Sequence, residues 1–287
     1  MNIPFVDLKP HNNFFKKKFI KNFNNILENS NFIKGKNNLL LEKKICKIFK
    51  CKYSLNVNSG TDALIIAIKS LNLKSKSQII TTSNTWISSA YAIELNDCKP
   101  VFVDVNPDTF QVDCNLIRKK INNKTKAIIV THLYGNPSNL NKICKIAKEK
   151  NLYIIEDIAQ AHLASYNNKI VGNFGDVSCL SFYPSKNLGA LGDAGNLITN
   201  SKKIYMNAVK FANYGSLNFK DKNHTTIGIN SRMDELQASF LLEKIKYLKS
   251  ETKKRIKLAN IYNKICKKIK IKTIKVSENS INVYHLY

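Results

Sequence analysis

No stretch of this 287-residue sequence is apolar for long enough to span a bilayer. The first twenty residues mix apolar positions with Asn and Lys, and they lack the continuous apolar core and small-residue cleavage site of an export signal. A soluble, cytoplasmic protein without membrane attachment is therefore expected. The seven cysteines are an odd number, with no Cys-x-x-Cys pair and no His at metal-ligand spacing, which fits free thiols in a reducing compartment. The five histidines are likewise isolated from one another along the chain, so no metal is expected. Acidic residues are scarce: 20 Asp and Glu against 46 Lys and Arg leave a formal net charge of +26. Such an excess raises nucleic acid or an anionic membrane as partners. Against both, Lys is spread through nearly every segment together with Asn and Ile, and neither a nucleic-acid module nor an Arg-rich face stands out. These lysines read as solvated helix faces whose field helps to recruit a substrate carrying a diphosphate. Internal repeats and low-complexity linkers are also absent.

What is present is alternation. Short apolar runs at Ser54–Asn58, Gln78–Thr82, Pro100–Val105, Ala127–His132, Tyr153–Glu156, Val177–Phe182 and Asn196–Thr199 predict strands, several of them buried on both faces. Between them lie helical patterns. Leu140, Ile143, Cys144 and Ala147 keep helical spacing over Asn139–Lys150 behind a Ser138 cap, and a helix from Thr61 carries Leu64, Ile65, Ile68 and Leu71. This order predicts an α/β fold, a mostly parallel sheet covered by helices, with its ligand site in the loops that follow the strands. From Asp234 the pattern changes to long helices, with an apolar stripe of Ala238, Leu241, Leu242, Ile245 and Leu248. A boundary near residue 245 follows, with a large domain over 1–245 and the beginning of a small one over 246–287. The basic helix from about Lys253 to Lys270 sets Ile256, Ala259, Tyr262, Ile265 and Ile269 on one side; it reads as a packed helix with solvated lysines rather than a membrane-surface one. Asn282–Tyr287 reads as the start of a strand, and a truncated sequence is expected.

Three elements carry chemistry. In Asn56-Val57-Asn58-Ser59-Gly60-Thr61-Asp62, a strand turns through glycine into a helix, whose first-turn N–H groups and dipole suit a phosphate. Such a turn is also an ordinary helix cap. In Tyr153-Ile154-Ile155-Glu156-Asp157, a buried strand delivers two carboxylates to its end, and a buried Asp157 needs a cationic partner such as a protonated pyridine nitrogen unless it serves as a cap. In Ser181-Phe182-Tyr183-Pro184-Ser185-Lys186-Asn187-Leu188-Gly189, a single lysine leaves an apolar strand among small, glycine and aromatic residues. Those surroundings lower a lysine pKa and favour Schiff-base chemistry.

Together these elements resemble the DegT/DnrJ/StrS family of sugar aminotransferases, enzymes of the aspartate aminotransferase (type I) fold that use pyridoxal 5'-phosphate (PLP). The resemblance runs from Ile3-Pro4-Phe5-Val6-Asp7-Leu8 through Thr131-His132-Leu133-Tyr134-Gly135 and Glu156-Asp157-Ile158-Ala159-Gln160-Ala161-His162 to Asn230-Ser231-Arg232-Met233-Asp234. It implies Lys186 as the Schiff-base lysine and proton carrier, and Asp157 as partner of the pyridinium nitrogen. It also implies Trp86, the only tryptophan, stacked on the PLP ring, Gln160 near the ring hydroxyl, and phosphate contacts from Gly60, Thr61, Asp62 and Ser181. Asn230, in a loop before the Asp234 helix and away from the strand-end elements, is implied to reach the phosphate of a neighbouring subunit, hence a homodimer with shared sites. Gly189–Gly195, Asn213-Tyr214-Gly215-Ser216 and Asn230-Ser231-Arg232 look most like the branch that aminates C3 of TDP-linked 3-keto-6-deoxyhexoses, with glutamate as the expected amino donor and Tyr183 and Tyr214 as candidates to face the sugar. Two alternatives stay open: amination at C4, and a catalytically silent or regulatory relative that only binds cofactor or nucleotide-sugar. A PLP-dependent dehydratase of the same fold has His in place of the Schiff-base lysine, so Lys186 argues against it.

Overall fold

The computed structural model describes residue 4, residues 6–218 and residues 223–287. Ile3 and Phe5 of the amino-terminal motif lie outside the described residues. The strands are β1 (Tyr53–Val57), β2 (Gln78–Thr82), β3 (Lys99–Val103), β4 (Thr125–Thr131), β5 (Tyr153–Asp157), β6 (Ser165–Tyr166), β7 (Lys169–Ile170), β8 (Val177–Ser181), β9 (Gly195–Thr199) and β10 (Ser280–Ile281). Among the described residues seven of them form one sheet in the order β1-β9-β8-β5-β4-β2-β3, while β10, β6 and β7 form a small second sheet. Strands β3, β2, β4, β5 and β8 pair in parallel. Strand β9 runs antiparallel to both of its neighbours, so β1 again points the same way as the rest. Six carboxyl ends therefore share one rim, and β9 begins there.

Helices cover both faces. They are α1 (Lys9–Asn29), α2 (Lys36–Phe49), α3 (Gly60–Ser70), α4 (Ser88–Glu94), α5 (Cys114–Lys120), α6 (Leu140–Lys150), α7 (Lys202–Ala212), α8 (Glu235–Lys244) and α9 (Leu248–Lys268). Successive strand residues face opposite ways. Ile155 joins Leu64, Ile66, Ala208 and Leu197 on the α3/α7 side, whereas Ile154 joins Leu41, Ile45, Ile146 and Leu241 on the α2/α6/α8 side. Each such leucine or isoleucine, fully withdrawn from water, contributes about 1.5–3 kcal/mol. Burial on both faces explains the near-continuous apolar runs.

The structure departs from the sequence reading in four places. Helix α6 is capped by Asn139, whose side chain accepts from the Lys142 N–H, because the Ser138 hydroxyl is engaged instead with Gln111 and the Thr131 carbonyl. Strand β3 stops at Val103, and Val105 makes only an isolated bridge to Val112. The strand near the carboxyl terminus is Ser280–Ile281, paired with β6, and no strand covers 282–287. Helix α9 buries Leu248, Thr252 and Ala259 but leaves Tyr262, Ile265 and Ile269 exposed, so only its first half packs as expected.

Helix α2 has Gly35 at its N-cap position and no local side-chain cap. A distant residue replaces it. The buried Glu235 carboxylate, at the start of α8, accepts from the N–H groups of Gly35, Asn37 and Asn38 and from the Asn38 side-chain amide. An anion at a helix N-terminus is favoured by both the unpaired N–H groups and the dipole. Glu235→Ala is accordingly expected to lower stability by about 2–3 kcal/mol, since several charge-assisted bonds vanish at once. Urea unfolding of the two proteins measures this difference.

Candidate active site

The rim is built around close backbone approach. A Cβ on Gly60 would lie 2.6 Å from the Ser181 Cβ, and one on Gly195 would lie 2.2 Å from the Ser59 carbonyl oxygen. Only glycine lets β1, β8 and β9 deliver their ends side by side. The Ser59 hydroxyl caps α3 by accepting from the Asp62 N–H at 3.0 Å, which leaves the first-turn N–H groups of Gly60 and Thr61 facing out of the helix end. The Thr61 and Ser88 hydroxyls lie 2.7 Å apart. The Ser181 hydroxyl accepts from the Tyr183 N–H at 3.3 Å and keeps its own proton to donate. These groups gather N–H and O–H donors of the kind a phosphate accepts from. The Asp62 carboxylate points elsewhere: it accepts from the Ser231 hydroxyl at 2.6 Å, and that hydroxyl in turn accepts from the Asn58 N–H at 3.2 Å. The loop carrying Asn230 is thus tied to the end of β1 and the start of α3, not remote from them as its place in the sequence implied. Asn230 itself is exposed and bridges to Asn213.

Two consecutive carboxylates end β5, and their fates differ. Glu156 is wholly buried and accepts from the N–H groups of Gly172, Phe174 and Gly175 at 2.8–2.9 Å. The His132 ring lies 3.2 Å from it through Nε2. Because His132 Nδ1 accepts the Ser138 N–H at 3.0 Å, its proton sits on Nε2 and is donated to Glu156. Burial alone would push the Glu156 carboxyl up, yet the His132 and backbone hydrogen bonds outweigh it and hold the group below its ordinary range. Asp157 faces the other side of the sheet. One of its oxygens accepts the Ala159 N–H at 3.0 Å, and burial raises its carboxyl above the usual value despite that bond and the charge of Lys186.

Lys186 lies across the rim from Asp157. Burial lowers its ammonium pKa, and the Asp157 charge opposes that. The two feel each other's charge but form no ion pair among the described residues. Each is therefore left short of an electrostatic partner, which is the situation a protonated ring nitrogen at Asp157 and a carbonyl at Lys186 would resolve. The loop holding Lys186 is tied down by hydrogen bonds on several sides. Lys186 N–H donates to the Tyr183 carbonyl, Leu188 N–H to His162 Nδ1, Leu191 N–H to Gln237, and the buried Lys244 ammonium to the Gly189 carbonyl at 2.7 Å.

The remaining candidates surround this pair at varying remove. The Gln160 side-chain oxygen accepts the Tyr134 N–H at 2.7 Å, which leaves its amide NH₂ available. Trp86, between β2 and α4, is 72% exposed, so its ring is not a core element. Tyr183 and Tyr214 are also exposed, and the Arg232 guanidinium stands 5.8 Å from the Tyr214 ring centre. Thus Gly60, Thr61 and Ser181 are brought together, Asp157 and Lys186 are coupled through their charges, and Trp86, Asn230 and Tyr214 share no hydrogen bond with that group among the described residues. His132, Ser88, Ser231 and His162 were not singled out from the sequence. His132 and His162 each lie in a quoted motif, one or five residues beyond the end of a central strand, and that placement was the available signal.

A glycine-lined anion cradle, a buried carboxylate and a desolvated lysine on one rim of an α/β sheet define an enzyme built for PLP. Residues 14–287 match the DegT/DnrJ/EryC1/StrS aminotransferase family. The chain is 39% identical over 285 residues to the dTDP-3-amino-3,6-dideoxy-alpha-D-galactopyranose transaminase of Aneurinibacillus thermoaerophilus, covering 99% of this chain and 78% of that protein. It is 35% identical over 291 residues to the pleiotropic regulatory protein of Geobacillus stearothermophilus, covering 100% and 77%. The crystal structure of DesV from S. venezuelae superimposes with a TM-score of 0.93 at 30% identity, over 99% of this chain and 76% of that one. The chain belongs to the DegT/DnrJ/EryC1/StrS aminotransferase family and is a PLP-dependent sugar aminotransferase.

The depressed Glu156 carboxyl links stability to acid. An unfolded glutamate titrates near its model value of 4.5, so the stabilisation is fully present above that pH and is lost as pH falls through the lower folded value. His132→Asn cannot span both Ser138 and Glu156. At neutral pH it should cost about 2–3 kcal/mol, a difference that shrinks once Glu156 is protonated. Denaturant titrations of both proteins at neutral pH and below pH 4 check the sign.

Proposed function

We propose that this chain transfers an amino group to a nucleotide-linked keto-6-deoxyhexose, with a TDP-linked 3-keto sugar as acceptor and glutamate as donor. The observation that carries the chemistry is the Asp157 and Lys186 pair, the carboxylate buried and the lysine half-buried, neither neutralised by the other. Bound PLP supplies an electron sink that stabilises negative charge on the substrate carbon. Asp157 would hold a proton at the ring nitrogen, which would relieve its own buried charge. The Lys186 amine would hold the cofactor covalently and would serve as the base that carries a proton between the substrate carbon and the cofactor carbon on either side of the transferred nitrogen. The Gly60 and Thr61 N–H groups and the Thr61 and Ser181 hydroxyls bind the phosphate, while Asp62 acts one step removed by fixing Ser231. Trp86 would cover one face of the ring and the Gln160 amide would meet the ring hydroxyl. Tyr183 and Tyr214 face the sugar, and the spread of positive charge favours approach of a diphosphate.

We place a large domain at 1–245 and the beginning of a small one at 246–287, and assign the enzyme to the cytoplasm, in keeping with seven free thiols. Among the described residues no helix is long and apolar enough to cross a membrane. The likeness to a protein named as a regulator favours one second reading, a relative that binds without turnover. Mixing the full-length protein with glutamate and a panel of nucleotide-linked 3-keto and 4-keto sugars, then weighing each sugar, decides between them. A 3-keto sugar should gain nitrogen; no gain by any sugar would support the binding-only reading.

Two variant experiments follow. Lys186→Ala should fold but show no borohydride-sensitive visible band, whereas Asp157→Asn should keep the band and lose transfer by about 10²-fold or more. Near-normal turnover in Asp157→Asn would make that residue structural. Asn230 is proposed to serve the neighbouring subunit's phosphate in a homodimer. Mixing inactive Lys186→Ala chains with impaired Asn230→Ala chains should then restore part of the activity, because one site of each heterodimer has all its parts. If heterodimers are demonstrated by mass and activity stays absent, Asn230 acts within its own chain, where Ser231 already ties its loop to Asp62.

A further inference from the structure

His162 ends the segment that begins with Asp157, and no role has yet been found for it. Its ring is 1% exposed and packs against Phe182 with centroids 5.6 Å apart. Nδ1 accepts the Leu188 N–H at 3.3 Å, two residues beyond Lys186. An imidazole whose Nδ1 accepts a backbone N–H carries its single proton on Nε2. That Nε2 is buried with no protein acceptor among the described residues, so a fixed donor is left unmatched beside the Lys186 loop. Native interiors rarely leave such a group unexplained.

We propose that His162 is a positioning residue for Lys186: Nδ1 holds the lysine loop, and Nε2–H donates to the lone pair of the Lys186 amine in its uncharged form. An ammonium has no lone pair and repels an N–H donor; a free amine accepts one. A fixed donor at this place therefore favours the amine, the form that both attacks a carbonyl and takes up a proton. Proton transfer by the imidazole itself is excluded by its environment, since burial first and the Lys186 and His285 charges next push His162 down to about 3. It stays neutral at every working pH. The groups facing this cluster are Asp157 on β5, His285 on the segment that follows β10, and Arg255 on α9 acting on His285. The His285 segment crosses the site, with Val283 N–H donating to the Gly135 carbonyl, His285 N–H to the Tyr134 carbonyl, and the Asn187 side chain to the Val283 carbonyl. Of these groups only Asp157 favours the ammonium, so the Nε2–H donor opposes it.

This inference rests on Lys186 being the reactive amine, and its test is read on cofactor-free protein so that the two can fail separately. Competitive acylation by acetic anhydride, mapped by mass spectrometry against pH, gives the basicity of Lys186 without any turnover. In His162→Leu the pH at which Lys186 becomes reactive should rise by about one unit, slowing its labelling near neutral pH about tenfold. His162→Gln, which keeps a donor, should recover most of the loss. An unchanged profile in folded His162→Leu overturns the proposal. Nitrogen NMR of the unsubstituted ring gives a second reading that needs no His162 variant: Nε2 should be protonated, and its resonance should shift in Lys186→Met. A protonated Nδ1, or an Nε2 resonance identical in the two proteins, overturns it as well.

Discussion

Everything at the rim turns on two ionisable groups withdrawn from water, Asp157 fully and Lys186 in part, without being paired. Desolvation raises the Asp157 carboxyl and lowers the Lys186 ammonium, and the attraction between them only partly offsets either effect. Had they formed a close ion pair, each would satisfy the other and the site would be a structural bridge with nothing to offer a ligand. Held apart, they keep a polar demand that a ring with a cationic nitrogen at one end and a carbonyl at the other meets at both. The rest of the fold keeps them apart. Lys186 is fixed by its loop, which Gln237 and the buried Lys244 grip from α8, and Asp157 is fixed by the sheet.

The contrast with Glu156 shows how little is needed to separate chemistry from scaffolding. Two adjacent carboxylates leave one strand on opposite faces because side chains alternate. Glu156 enters a ring of backbone N–H donors and the His132 imidazole, which hold it ionised and inert. Asp157 receives one backbone N–H and keeps an unmet need. Saturation of hydrogen bonds, rather than burial or residue type, distinguishes the group that holds the loop at Gly172–Gly175 from the one suited to a cofactor.

Much of this was legible in the sequence, for reasons that differ by element. A doubly buried strand such as β4 announces itself through the unbroken apolar run Ala127-Ile128-Ile129-Val130, and Ser59-Gly60-Thr61 and Lys186 stand out because each breaks its surroundings. What could not be read was anything created by approach in space. The Glu235 cap on α2 joins residues about 200 positions apart, and no local pattern marks Gly35 as wanting it. Asp62 fits a phosphate loop in sequence, but its carboxylate is turned toward Ser231. The cap of α6 moved from Ser138 to Asn139 because Gln111 and the Thr131 carbonyl compete for the serine hydroxyl. Helix α9 carries an apolar stripe whose second half stays exposed, touched at Tyr262 by the Tyr287 ring, and periodicity alone cannot say which turns of a helix are covered.

Histidines illustrate the same limit at the site itself. Along the chain His162 and His285 are isolated, and isolation is the usual sign of a histidine without a role. In space the segment 282–285 is strapped across Tyr134 and Gly135 and held by Asn187, next to Lys186, which brings His285 within electrostatic reach of both His162 and the lysine. Both imidazoles are driven down to about 3, so neither adds positive charge near a lysine that must lose its own. In a chain carrying +26, the few side chains closest to the reactive amine are therefore neutral or acidic. Positive charge outside attracts an anionic substrate, while its exclusion from the immediate surroundings of Lys186 preserves the nucleophile.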